Sequence, residues 1–133
     1  MRAVILSIIL AIGLIRPAIA QGNEIEGVIS SQIEAFKADD FAKAFSFASP
    51  GIQGIFRTPE NFGRMVAQGY PMVWRPAEVQ YLDLSDQAGN LRQTVQITDA
   101  QGQVYLLAYY MIETRDGWKI NGVQILQAPG VAA

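Results

Sequence analysis

The 133-residue chain contains no cysteine and no histidine. Without cysteine there is no disulfide, no zinc–thiolate site, no thiol chemistry and no lipid attached through sulfur. Without histidine the usual general base and the commonest transition-metal ligand are missing, along with every Ser-His or Cys-His arrangement. Any catalysis must therefore rest on carboxylates, tyrosines, lysines or bound water. Asp83, Asp86 and Asn90 do not follow the spacing of a calcium loop, so no metal site is indicated. Gly51-Ile52-Gln53-Gly54 is a lone G-x-x-G with no lysine after it, which speaks against phosphate binding, and no cofactor is expected.

What is present begins with a leader. Met1-Arg2 give a positive start, Ala3 to Ile15 an apolar run, and Arg16-Pro17 a break before the small-x-small Ala18-Ile19-Ala20. This is the pattern of a secretory signal, and it is too short for a permanent membrane span. The expectation is residues 1–20 as a signal peptide, a helix detached from the fold, cleaved near Ala20. The product, residues 21–133, is then periplasmic or secreted and has no membrane span. Removing Arg2 and Arg16 leaves eight basic against twelve acidic side chains, a net charge of −4. That balance argues against nucleic acid or an anionic membrane as partner, and the length suits a single domain with one core.

Ile25, Val28, Ile29, Ile33 and Phe36 recur at helical spacing and predict an amphipathic helix over 24–38. Asp39-Asp40 interrupts it, and Asp40 is placed to cap a second helix carrying Phe41, Ala44, Phe45 and Ala48. Ser49-Pro50-Gly51 is read as the end of that helix. Thr58-Pro59-Glu60 starts a third, with Phe62, Met65 and Val66 as its stripe and Gly69 as its stop. Residues 70–76 read as an extended segment between prolines. Four strands follow, over 78–84, 91–98, 104–114 and 118–126, with Asp116-Gly117 a two-residue hairpin signal. The fold class is α+β: three N-terminal helices packed on a four-stranded antiparallel sheet.

Symmetric closure of the turn at Asp99 to Gly102 pairs Ile97 with Val104, Val95 with Leu106 and Leu91 with Tyr110. It places these on the core face and puts Tyr105, Leu107, Tyr109 and Met111 on the outside. An apolar outer stripe calls for a cover, either a second copy of the chain as a homodimer or the C-terminal tail. In the last strand Trp118 and Ile120 have one parity, and Val123 and Ile125 the other. A β-bulge at Asn121-Gly122 puts both pairs on one face.

Gln32, Ala35 and Phe36 of the first helix, the Asp39-Asp40 break, and Asp116-Gly117-Trp118-Lys119-Ile120-Asn121-Gly122-Val123 resemble the nuclear-transport-factor-2-like superfamily. The resemblance covers about residues 24 to 127. It implies a cone, with helices in the concavity of a curved sheet. Ala44-Phe45, Ala48-Ser49-Pro50, Phe56, Phe62, Met65-Val66 and Tyr70-Pro71 are similar to a bacterial group of small exported proteins known as a domain of unknown function. The superfamily hosts enzymes, non-catalytic subunits and binding modules, so the fold does not choose among them.

Within that frame Tyr110, Gln93 and Asn121 are candidates to line a pocket, and Tyr70 and Trp74 to rim its mouth. The leading function is a non-catalytic binding or interaction module for a small apolar ligand or a protein. The alternative is a cofactor-free isomerase or lyase using Tyr110 with a buried Asp83 or Glu113.

Overall fold

The computed structural model describes residues 18–88 and 90–130. The apolar run of the leader lies outside the described residues. Five helices come first: α1 (Ala18–Lys37), α2 (Phe41–Ser46), α3 (Pro50–Phe56), α4 (Pro59–Gly69) and α5 (Pro71–Trp74). Four strands follow: β1 (Pro76–Gln87), β2 (Asn90–Asp99), β3 (Val104–Thr114) and β4 (Gly117–Gln127). They form one antiparallel sheet in the order β1-β2-β3-β4.

Each helix is punctuated by the side chains that its sequence supplies. The stripe of α1 buries Ile25, Ile29, Ile33 and Phe36 against the core. Asp39, with φ of 55°, turns the chain, and Asp40 N–H reaches back to the Ala35 carbonyl at 2.8 Å. This satisfies a carbonyl that the end of the helix leaves without an intrahelical partner. Asp40 Oδ1 then accepts from Lys43 N–H at 3.1 Å and opens α2. Thr58 Oγ1 accepts from Asn61 N–H at 3.1 Å to open α4, with Pro59 in its first turn.

Three helices depart from expectation. α1 begins at Ala18 rather than near Glu24, so residues 18–20 are continuous with it and not part of a detached leader helix. The other two depart for one reason. Ser49-Pro50 is the same start signal as Thr58-Pro59, so it opens α3 rather than merely closing α2. Ser49 Oγ accepts from Ile52 N–H at 3.2 Å. Pro71 likewise sits in the first turn of the short α5, where an extended segment was expected. Between α3 and α4 the chain makes a tight turn at Arg57, with φ of 73° and ψ of −43°. Thr58 N–H meets the Phe56 carbonyl across it at 2.8 Å.

The β2–β3 register differs from expectation by one residue. Leu91 pairs with Met111, Val95 with Leu107, and Ile97 with Tyr105. The cause is the turn. Gly102 N–H bonds to the Asp99 carbonyl, Gly102 takes a φ of 80°, and Asp99 N–H bonds to the Gln103 carbonyl. Asp99 Oδ1 also accepts from Gln101 and Gln103 N–H, both at 2.9 Å. This is a three-residue loop with a glycine bulge, not an even closure. A slip of one residue exchanges the faces of a strand.

Leu107, Tyr109 and Met111 are therefore buried in the chain's own core, with 0–1% of their surface exposed, and Tyr105 packs against that core. They do not form an outer stripe, and the homodimer face built on them loses its basis. The outer positions of β3 are Leu106, Ala108, Tyr110 and Ile112, flanked by polar Arg92, Thr94 and Gln96 of β2.

The bulge in β4 is where the sequence placed it. Tyr110 pairs with Gly122 and Met111 with Ile120, which leaves Asn121 as the extra residue. Trp118 and Ile120 thus share the inner face with Val123. A single hydrophobic cluster joins α1, α2, α4 and α5 to that face.

Candidate functional site

The helices do not fill the space they enclose. Between α1, α3, α4 and the bulged part of β4 lies a pocket of about 220 Å³. Phe36 comes from α1, Ile52 and Phe56 from α3, Phe62, Met65 and Val66 from α4, and Ile120 and Val123 from β4. Phe36, Phe56 and Phe62 supply three rings to this wall. The Phe62 ring lies 5.8 Å from Phe36 and 5.8 Å from Phe56. Larger but more open grooves occur elsewhere, such as one of about 440 Å³ bounded by Glu24, Phe47 and Trp118. They lack the apolar enclosure that favours a small ligand.

The bulge shapes this pocket. It turns Val123 inward after Ile120, and it leaves Gly122, with no side chain, in the wall between them. α3 is held over the opening by a few polar anchors. Ser49 Oγ, fully buried, donates to Asn121 Oδ1 at 2.7 Å. Gln53 Nε2 donates to the carbonyls of Phe45 and Ala48 at 3.0 and 3.2 Å. The α2–α3 connection also pairs with β4, since Ile120 N–H donates to the Phe47 carbonyl and Ser49 N–H to the Ile120 carbonyl.

Two polar side chains reach the lining. Gln32 is 3% exposed, and its Nε2 donates to the Ala44 carbonyl at 3.1 Å. That bond uses one of the two N–H donors of the amide. Tyr70, where α4 gives way to α5, donates its hydroxyl to the Val123 carbonyl at 3.1 Å. The lining contains no carboxylate, lysine or arginine.

The five ligand candidates drawn from sequence are thus dispersed. Tyr70 lines the pocket. Trp74 does not, and its ring instead carries the Arg75 guanidinium 3.9 Å from the ring centre. Arg75 in turn donates to the Phe36 carbonyl and to Asp39 Oδ1 at 2.8 and 2.7 Å, which ties α5 to the end of α1. Gln93 is on the core face as expected, but its amide serves the sheet. Its Nε2 donates to the carbonyls of Leu82 and Thr94, both at 3.0 Å, beside the bulge in β1.

Tyr110 is on the outer face, because of the register, and donates to Gln124 Oε1 at 2.7 Å. Asn121 is exposed at the bulge and holds Ser49. Tyr110, Asp83 and Glu113 are not gathered in the pocket, and both acids are exposed. The tyrosine–carboxylate arrangement of the catalytic alternative is therefore not formed.

Gln32 was the residue missed. It stood in the sequence among the residues carrying the superfamily resemblance. The signal was an amide flanking an otherwise apolar helical stripe, one turn before Phe36.

Among the described residues no group of three or more acidic side chains is placed to hold a metal ion. No helix among them is long and apolar enough to cross a membrane. Compared with curated proteins and with solved structures, the chain has no match in either set. A family match does exist, and it covers residues 18–133, so it spans every helix and strand described above. The chain belongs to the family described as a domain of unknown function, DUF4864.

Proposed function

We propose that this is an exported binding module that holds a small apolar molecule in the pocket beneath α3. The observation that carries the reading is the recess of about 220 Å³, open on one side, walled by phenylalanine and aliphatic side chains. Protein interiors are otherwise close-packed, and apolar space of this size takes up small hydrocarbons. The cone of the nuclear-transport-factor-2-like superfamily suits the same reading, with helices against one face of a bulged antiparallel sheet. Export rests on the leader, of which residues 1–17 precede the family match and residues 18–20 fall within it. Intact mass of protein recovered from outside the cytoplasm is expected to begin at Gln21, and a mass retaining Met1 to Ala20 would refute cleavage.

Ethylbenzene is a direct probe of the pocket. At about ten times its dissociation constant, a ligand specific for the folded state adds about 1.4 kcal/mol of stability. The thermal midpoint should therefore rise with added ethylbenzene. A midpoint that stays constant or falls would count against the binding reading.

A further inference from the structure

α3 is the wall of the recess that packing holds least. None of its residues is fully buried, Ile52 and Phe56 line the recess, and Ile55 is 69% exposed. Its place therefore depends on hydrogen bonds. Gln53 Nε2 ties α3 to the carbonyls of Phe45 and Ala48, in the chain just before it. Ser49, its N-cap, reaches across to β4. The Ser49 N–H donates to the Ile120 carbonyl at 2.8 Å, and its hydroxyl donates to Asn121 Oδ1 at 2.7 Å.

These two bonds act differently. The backbone bond holds Ser49 beside the strand and leaves α3 able to swing about it. The hydroxyl also accepts from Ile52 N–H at 3.2 Å, so one oxygen both caps the helix and is pinned to the bulge. That sets the angle at which α3 leaves the strand. The first turn of α3 lies close over the pair, since a methyl group added at Gly51 would stand 3.8 Å from Ser49 Oγ and 3.9 Å from Asn121 Oδ1.

The neighbours of this bond are the walls themselves. Ala48, Ile52, Ile120 and Gly122 all line the recess, whereas Ser49 and Asn121 do not. Ser49 is 0% exposed, so without Asn121 its hydroxyl is a buried donor that has lost its acceptor, and lifting α3 to admit water restores one. A lifted α3 carries Ile52 and Phe56 away from Ile120 and Val123, and re-seating it around a ligand costs affinity.

We propose, building on the binding reading above, that Asn121 is a positioning residue for the recess. By accepting from buried Ser49 it holds α3 against β4 at the spacing a compact apolar ligand fills, without touching the ligand.

Calorimetric titration of the full chain with ethylbenzene tests this. Asn121 is exposed, so Asn121→Ala leaves no cavity, and it should bind about tenfold more weakly than the wild type. Asn121→Asp keeps an acceptor and should stay within about twofold of the wild type. Gln124→Ala is the matched control. It removes a bond of the same 2.7 Å length from the same strand, the one from Tyr110 on the outer face. Its affinity should also stay within about twofold of the wild type. Ser49→Ala should lose at least as much as Asn121→Ala, and combining the two should add nothing, because they remove one bond. Equal affinities of Asn121→Ala and Gln124→Ala, an aspartate variant as weak as the alanine one, or additive losses in the double variant would overturn the positioning role while leaving the binding reading intact. No binding of ethylbenzene by the wild type would overturn both. Circular dichroism checks that each variant is folded. Asn121 and Gln124 are exposed, so their variants decide the matter whether or not Ser49→Ala folds.

Discussion

Phe62→Ala should lower the stability of the domain by about 3–5 kcal/mol, the usual cost of removing a buried ring. Phe62 stands where four elements meet. Its ring lies 5.3 Å from Phe45 of α2, and it also contacts the rings of Phe36 of α1 and Phe56 of α3. The alternative response, collapse of the neighbours into the space, is hindered on one side because that space opens into the existing pocket. Against a total of about 5–15 kcal/mol for a domain, the loss leaves little. Urea unfolding at 25 °C would show a lower midpoint at similar slope, and saturating ethylbenzene should recover part of the loss by occupying the enlarged space. A loss below about 1 kcal/mol would mean that the four rings do not share one packed core.

Tyr109→Phe should act in the opposite direction, raising stability by about 1–2 kcal/mol. Tyr109 is fully buried on the inner face of β3, and its hydroxyl meets no hydrogen-bonding group among the described residues. Removing the oxygen keeps the ring's packing and takes away an unpaired polar atom. The same burial, reinforced by Tyr81 and then Tyr70, holds the Tyr109 phenol well above the usual tyrosine range.

The sign of the pH effect follows. Above about pH 10 the unfolded chain loses this proton while the folded chain keeps it. The folded state then binds more protons, so stability is fully present below the unfolded value and falls as pH rises, by at most about 1.4 kcal/mol per pH unit. Tyr81 is also raised, first by burial, although its bond to Ser30 works the other way, and so it contributes a smaller part of the same slope. Between pH 9 and 11.5 the wild type should lose stability more steeply than Tyr109→Phe. Equal slopes would show that water reaches the hydroxyl in the folded protein, and a Phe variant less stable by about 1 kcal/mol would show that the hydroxyl has a hydrogen-bond partner there.

Most of the architecture was legible because it rests on local chemistry. Asp40, Thr58-Pro59 and the apolar stripe of α1 place their elements without help from the rest of the fold. The Asn121 bulge was also readable, since Trp118, Ile120, Val123 and Ile125 cannot share a face otherwise. The site was less legible, and a single residue shows why. The sequence at Asp99 predicts an even loop, whereas Gly102 in a left-handed conformation makes it odd. Every outward residue of β3 then becomes inward, so that Tyr109 replaces Tyr110 in the core. No hydrophobic pattern corrects that error, because Val104 to Ile112 is apolar at both parities. Gln93 and Asn121 look equally available for a ligand in sequence, but one is committed to the carbonyls beside a bulge and the other to the cap of α3. The pocket belongs to a different level again. α3 supplies one wall of it, and in sequence Ser49-Pro50, which opens α3, also reads as the end of α2.

The central claim is that this pocket binds a small apolar molecule, and methyl NMR during titration with ethylbenzene tests it where it is made. The account predicts saturable shifts concentrated on Ile52, Met65, Val66, Val73 and Val123, which line the cavity. It predicts little change at Ile55 and Leu126, which are exposed. Unsaturable shifts centred on Ile55 and Leu126, with the five lining residues unmoved, would contradict it.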